Sequence, residues 1–262
     1  MKLINIVTLI LVIIGVQSFS CSPEPILVEV YDIYEDLRLD LFQNLKSENS
    51  YLWKISTTND EFCEDSRLLT QFDDDAANQT IYINGLEIPV NCVSDNGVIS
   101  STHSFSLQNG QINTKILIAD NILNSINIQD DGELINLNYN ELKGANLPND
   151  ELFKIHINHL WVGYYNINQS NLELFLEMQN EILSLANYEV VGEENYGYFK
   201  TELESSILYD PETLSTADNG FAVKFEVNID SLGLELNDIA EKYRNTNRNL
   251  EFFIATGSGT TY

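Results

Sequence analysis

Basic residues are scarce in this chain of 262 residues. Only 13 lysines and arginines accompany 40 aspartates and glutamates, which gives a formal net charge of −27 at pH 7. A protein that binds nucleic acid needs a basic surface, and anionic lipid head groups also attract basic residues. The composition therefore excludes nucleic acid as a partner and excludes attachment to a membrane through surface charge. Solubility is the simplest reason for the acidity.

The chain also lacks the short motifs that identify common enzyme classes. HExxH, GxSxG, SxxK, CxxC, GxGxxG and the Walker loop are all missing from it. Many carboxylates are available for acid–base catalysis, but spacing singles out no pair of them. We therefore predict no catalytic residues and no cofactor, and the sequence favours a binding or structural module over an enzyme.

Histidine is rare, and the one close pair is His156 and His159. On a strand these side chains point to opposite faces, and a zinc site needs three or four converging donors, so we predict no metal site there. The acidic runs 73–75 and 130–133 could offer oxygen ligands to calcium, but neither has the EF-hand spacing. The second run is explained by a hairpin turn, whereas the first is a solvated loop or a calcium site.

The chain has no apolar run long enough to cross a membrane as a helix. Residues 6–16 form an apolar segment behind Lys2. This segment matches the ~7–15 apolar residues of a secretory signal and falls short of the ~20 that span a bilayer. Residues 1–20 are therefore predicted to be a cleaved signal peptide.

A cysteine stands directly after this segment. Cys21 follows the small residue Ser20, and residues 18–21 resemble the lipobox of exported bacterial lipoproteins. The resemblance implies that the Cys21 thiol carries a lipid such as palmitate and becomes the mature N-terminus. It also implies a location in the bacterial cell envelope, on the extracytoplasmic side, with residues 21–25 as a proline-stiffened tether. The alternative is ordinary cleavage and a secreted protein with a spare cysteine.

Cysteine is scarce as well, with 3 residues in the chain. If Cys21 carries a lipid, Cys63 and Cys92 can form a disulfide, and no thiol is left over in an oxidising compartment. The loop so closed has about 30 residues and would stabilise the fold by roughly 3–4 kcal/mol. A redox or metal role is disfavoured, because the pair lacks Cys-x-x-Cys spacing.

The middle of the chain alternates apolar and polar residues with the period of a β-strand. Residues 80–142 contain several such runs, separated by Asn-Gly or Asp-Gly at 96–97, 109–110 and 131–132. These dipeptides supply the positive φ angles of tight hairpins, so the region predicts an antiparallel meander. With the segment before it, the meander is predicted to form a β-rich domain, a sandwich or half-barrel, over residues 26–145.

The segment before the meander is expected to be mixed. Residues 33–45 carry Ile and Leu at every fourth position, which is typical of a helix face. Residues 51–57 predict a strand, and Asn59 could cap a short helix that runs through Leu69.

Residues 143–150 gather Gly, Pro, Asn and Asp and predict a linker. Beyond it, strands and helices alternate as β-α-β-β-α-β, the order of the ferredoxin-like fold. We therefore predict an α+β protein whose second domain, residues 150–262, is ferredoxin-like. Its first helix, over 170–187, places four apolar residues on one face: Leu174, Met178, Ile182 and Leu185.

Aromatic residues concentrate in this second domain, where Trp161, Tyr165 and Tyr196 belong to the densest group. The two helices of such a domain cover one sheet face, so the other face could present these side chains to a glycan or a protein. Packing against the first domain is the alternative. The sequence thus predicts an envelope-anchored binding or interaction module; the alternatives are an extracytoplasmic glycan-binding protein and a carboxylate-dependent hydrolase.

Overall fold

The structure, a computed structural model, describes most of the chain after the predicted signal and tether. The described residues are 28–33, 36–47, 49–60, 62–63, 65–75, 77–90, 96–107, 109–119, 122–166, 168–201, 206–247 and 249–262. The predicted signal peptide, Cys21, the tether and Cys92 lie outside them. The predictions made for those residues therefore stay predictions.

The first part of the chain is built from strands. They are β1 (Val28–Tyr31), β2 (Leu37–Gln43), β3 (Ser50–Thr57), β4 (Phe62–Cys63), β5 (Arg67–Asp74), β6 (Asn78–Pro89), β7 (Asn96–Gly97), β8 (Ser100–Ser106), β9 (Gln111–Ile118), β10 (Ile122–Asp130), β11 (Leu134–Asn138), β12 (Ala145–Asn146) and β13 (Glu151–Phe153).

These strands form a sandwich of two sheets. Sheet A has the order β1-β6-β9-β10-β11-β13, and β5 also pairs with β6. Sheet B has the order β12-β2-β3-β8. Alternate residues of both sheets point inward, because successive side chains of a strand lie on opposite faces. Trp53 and Ile55 of sheet B meet Ile81, Ile116 and Ile126 of sheet A in a continuous buried core.

Asn-Gly and Asp-Gly place two of the expected turns. Asn109 and Gly110 have φ angles of 54° and 74° between β8 and β9, and Gly132 has a φ of 106° between β10 and β11. The predicted strands of this region and the strand at 51–57 are present. The antiparallel meander is not: β8 pairs with β3 in sheet B, and β6 pairs with β9 in parallel, so only β9, β10 and β11 follow one another as antiparallel neighbours. Cys63 is buried beside the third turn signal, because β4 pairs it with Asn96.

The remaining chain adds strands and two helices among the described residues. They are β14 (His159–Tyr165), α1 (Gln169–Leu183), β15 (Tyr188–Val190), β16 (Phe199–Thr201), β17 (Ser206–Leu208), β18 (Asn219–Phe225), α2 (Gly233–Thr246) and β19 (Glu251–Thr256). Sheet C has the order β15-β18-β14-β19, and β16 and β17 form a separate hairpin.

Sheet C is buried on both faces along β14 and β19, whereas its edge strand β15 is exposed. One face packs against the helices through Leu160 and Val162, which contact Met178 of α1 and Leu236 of α2 in one buried cluster. The opposite face carries Trp161 and contacts the β16–β17 hairpin and the outer face of sheet B. We call this second buried cluster, which joins the two parts of the molecule, the middle core.

The predicted fold class is wrong. The described part of the chain is mostly β, with 51% strand, 15% helix and two α-helices, and the second part is not a ferredoxin-like domain. Two strands, β16 and β17, lie between the strands of sheet C, and they help the sandwich to cover the face that such a domain would leave open. The sequence pattern predicts the order of strands and helices along the chain, but it does not predict that another sheet packs on the open face of sheet C.

Three local expectations are also wrong. Residues 33–45 contain the strand β2 and not a helix, and the residues after Asn59 form β4 and the start of β5. The single strand expected after the linker is divided, because β13 pairs with β11 of sheet A while β14 belongs to sheet C. In each case pairing with another strand outweighs the pattern within one segment.

Candidate ligand cleft

The turn between β2 and β3 lies against the second part of the molecule. Gln43, the last residue of β2, holds this contact: its Oε1 accepts from the Ile155 amide at 2.8 Å and its Nε2 donates to the Ile155 carbonyl at 3.1 Å. Phe42 beside it is fully buried, with its ring centroid 5.1 Å from that of Tyr198. The junction is therefore fixed by both backbone-like hydrogen bonds and aromatic packing.

A cleft opens at this junction, with a cavity of about 390 Å³. One wall comes from the β2–β3 turn and the outer face of sheet B: Asn44, Leu45, Lys46, Leu52 and Ser104. The other wall comes from loops of the second part: Tyr198, Pro211, Glu212 and Gly259. Gly259 has a φ of +80°, and a Cβ there would lie 3.0 Å from Leu45 Cβ, so glycine lets this loop approach the turn closely.

Tyr198 is the most buried polar residue of the cleft. It is 4% exposed, and its ring stacks on Trp161 with the centroids 5.7 Å apart. Burial raises the pKa of its phenol to about 12. The hydroxyl has no hydrogen-bond partner among the described residues and is not one of their fully enclosed polar atoms, and Tyr198 is one of the residues that line the cavity.

Four more polar side chains line the same cavity, and that of Asn44 is bonded within its own turn. Lys46, on the exposed turn, makes no ion pair with any described residue, and the Ser104 hydroxyl makes no hydrogen bond with one. Glu212 accepts a hydrogen bond from the Thr261 hydroxyl at 2.6 Å through Oε1. The cleft thus presents an ammonium group, two hydroxyl groups and one carboxylate.

The sequence-predicted aromatic residues lie near this cleft but mostly inside the middle core. Trp161 is fully buried, and its Nε1 donates to the Tyr209 carbonyl at 3.1 Å. Tyr165 and Tyr196 are half-buried; the first bonds the Ser215 hydroxyl, and the second stacks on Phe199. The structure brings Trp161 and Tyr196 to the same core, but it does not present a continuous aromatic surface to solvent.

The two neighbouring histidines lie closer together than strand geometry suggested. His156 lies in the turn before β14, and its ring centroid is 5.8 Å from that of His159. The His156 amide donates to His159 Nδ1 at 2.9 Å, and His156 Nε2 lies 2.9 Å from Glu133 Oε2. Burial lowers the pKa of His159 to about 4, so its ring is neutral at pH 7 and serves as an acceptor.

The acidic runs are engaged in local structure. Asp74 pairs with His103 at 3.0 Å, and Asp75 accepts from the amides of Ala77 and Asn78, which lowers the pKa of its carboxyl group. In the second run, Asp130 pairs with Lys154 at 2.6 Å. Within the part of the chain that the structure describes, no three His, Cys, Asp or Glu side chains converge to hold a metal ion.

Comparisons with known proteins give no relative for this arrangement: the chain matches no family model, no curated protein and no solved structure. Among the described residues, no helix is both long and apolar enough to cross a membrane. The chemistry of the cleft is therefore argued from its own side chains.

Sequence reasoning did not find Lys46, Ser104 and Glu212. These residues come from segments more than fifty positions apart, and each is an ordinary exposed side chain by type. A weak signal did exist, because Lys46 is one of only 13 basic residues in a strongly acidic chain.

Proposed function

We propose that the protein is an exported bacterial lipoprotein, anchored on the extracytoplasmic side of a membrane through Cys21, whose folded part binds a small polar molecule in the cleft. The signal-like segment 6–16 and the lipobox resemblance at 18–21 support the anchor. The acidic surface supports a covalent anchor as well, because surface charge would not hold the protein at an anionic membrane.

One observation carries the binding proposal: the almost fully buried Tyr198 lines the cavity, and its hydroxyl has no hydrogen-bond partner among the described residues. The hydroxyl is not fully enclosed, so a ligand atom that pairs with it would replace water, with a net gain of about 0.5–1.5 kcal/mol for the hydrogen bond. The cavity of about 390 Å³ lies within the range of roughly 300–1,000 Å³ that small-molecule sites occupy.

Binding is favoured over hydrolysis by the composition of the cleft. Glycosidic hydrolysis with carboxylates needs two of them on either side of the scissile bond. Among the described residues that line the cavity, Glu212 is the one carboxylate. A glycan platform built on Trp161 would need that side chain at the surface, and it is fully buried.

The anchor is tested by replacing Cys21 with serine. We expect the wild-type protein to sediment with membranes and to incorporate labelled palmitate, and Cys21→Ser to lose both properties, because serine provides no thiol for acylation. Cell fractionation and acyl labelling measure this. Label that persists in Cys21→Ser would contradict the anchor.

The cleft is tested by filling it. Ser104 is exposed on β8, so Ser104→Trp should place a ring in the cavity without disturbing the buried core. We expect some member of a panel of amino acids, short peptides, sugars and carboxylic acids to raise the melting temperature of the wild-type protein and to leave Ser104→Trp unchanged, since a ligand stabilises only the state that binds it. Ser106→Trp, on the same strand but outside the cavity lining, is the matched control. If no member stabilises the wild-type protein, the cleft is not a binding site.

A further inference from the structure

Three hydrogen-bond donors of the cleft have no described partner. They are the Lys46 ammonium group, the Ser104 hydroxyl and the Tyr198 hydroxyl. Donors that include a positive charge favour a ligand with a charged acceptor, since hydrogen bonds to charged groups are stronger than neutral ones. A carboxylate is the simplest such group.

Glu212, in contrast, favours a ligand with a positively charged hydrogen-bond donor. Its carboxylate lines the other wall and bonds the Thr261 hydroxyl through one oxygen, which leaves the second oxygen without a described partner. Glu212 and Lys46 make no ion pair with each other, although both line one cavity. The cleft therefore holds separated charges of both signs.

The charge of the whole protein excludes the simpler ligand classes. With a net charge of −27, the protein repels a small anion, whereas a small cation would meet Lys46 inside the cleft. A neutral sugar would leave both charges without a counter-charge. A molecule with its own positive and negative groups matches the two walls and has no net repulsion from the surface.

We propose that the cleft binds a zwitterionic ligand, an amino acid or a short peptide. Its carboxylate accepts from Lys46, Ser104 and Tyr198, and its ammonium group donates to Glu212. This inference rests on the proposed function and adds the ligand class to it.

Titration calorimetry with three matched peptides tests the proposal on the full mature chain, made soluble by Cys21→Ser. The probes are alanyl-alanine, its C-terminal amide and its N-acetyl form; the amide lacks the negative charge, and the N-acetyl form lacks the positive charge and carries an added acetyl group. We expect the wild-type protein to bind alanyl-alanine on the order of tenfold to a hundredfold more tightly than either derivative, because each derivative loses one charged hydrogen bond.

Charge-removing variants assign each end of the peptide. Lys46→Gln should bind alanyl-alanine and its amide equally and still reject the N-acetyl form. Glu212→Gln should bind alanyl-alanine and its N-acetyl form equally and still reject the amide. Tyr198→Phe should weaken alanyl-alanine relative to the amide. Lys143→Gln, which removes an exposed lysine outside the cavity lining, should leave all three affinities unchanged.

Three results would overturn the proposal: equal affinities of the three peptides for the wild-type protein, discrimination that survives both substitutions, or no binding of alanyl-alanine. If alanyl-alanine fails while a sugar or a simple acid binds and Ser104→Trp blocks it, the ligand class is wrong and the binding function stands. If no compound binds at all, both are wrong.

Discussion

His159 is a single residue whose ionisation is linked to the stability of the fold. Only 2% of the residue is exposed, and burial is the main reason that its pKa falls from 6.5 to about 4. Because the unfolded chain binds a proton at a higher pH than the folded chain does, the stability from this residue is fully present above pH 6.5. It falls as the pH decreases from 6.5 to 4. The full effect is about 3 kcal/mol.

Replacing His159 by asparagine isolates this effect. The amide oxygen of asparagine can accept from the His156 amide, as Nδ1 does, but it does not titrate. We expect the free energy of unfolding of the wild-type protein to decrease between pH 6.5 and 4 by about 3 kcal/mol more than that of His159→Asn. Urea unfolding at several pH values measures this. Parallel pH profiles would show that His159 keeps an ordinary pKa in the fold.

At the scale of elements, the sequence predicts strands and helices well where one pattern is unambiguous. The Asn-Gly and Asp-Gly turns need positive φ angles, which few residue types adopt without strain, so the turn at 109–110 and the hairpin at 131–132 follow from local chemistry. The turn at 109–110 connects sheet B to sheet A and does not join two paired strands. The helix at 170–187 is present as α1, with Met178 and Ile182 fully buried as expected. Its cap is Asn168, which accepts from the Asn171 amide, and not Ser170.

Strand β2 shows why other elements could not be predicted. Leucines at 37, 41 and 45 have the spacing of a helix, whereas leucines at 37, 39 and 41 have the spacing of a strand. All three of the latter are buried in the sandwich core, and β2 pairs with β3 along its whole length. The choice is made by that pairing and by sheet A beneath it, which a local pattern does not contain.

At the scale of the whole molecule, the middle core and the cleft depend on contacts between distant segments. Besides Gln43, two basic residues of sheet B reach the second part: Arg38 bonds the Tyr209 hydroxyl at 3.4 Å, and the Lys54 ammonium group donates to the Leu214 carbonyl at 2.9 Å. These contacts place two of the scarce basic residues at the junction between the two parts of the molecule. The cleft lies along this same interface, so no single stretch of sequence encodes it.

The predicted division of the chain near residues 144–149 can be tested on a fragment of residues 150–262. About 110 residues can bury enough apolar surface to fold independently, and α1, α2 and sheet C share their own core. We expect one cooperative urea transition, at lower denaturant than for the full chain, because the fragment loses Phe42 and Gln43 from its other face.

Two substitutions in α1 report whether that core holds the fragment together. Met178 is fully buried against sheet C, so Met178→Asp should unfold the fragment, since it places an unpaired charge among apolar side chains at a cost of more than about 4 kcal/mol. Leu176 is 48% exposed two positions earlier, so Leu176→Asp should change the transition by less than about 1 kcal/mol. A fragment without a cooperative transition would show that the second part folds only on the sandwich. A fragment that folds and tolerates Met178→Asp would instead place the stabilising contacts in the middle core, where the β16–β17 hairpin meets Trp161.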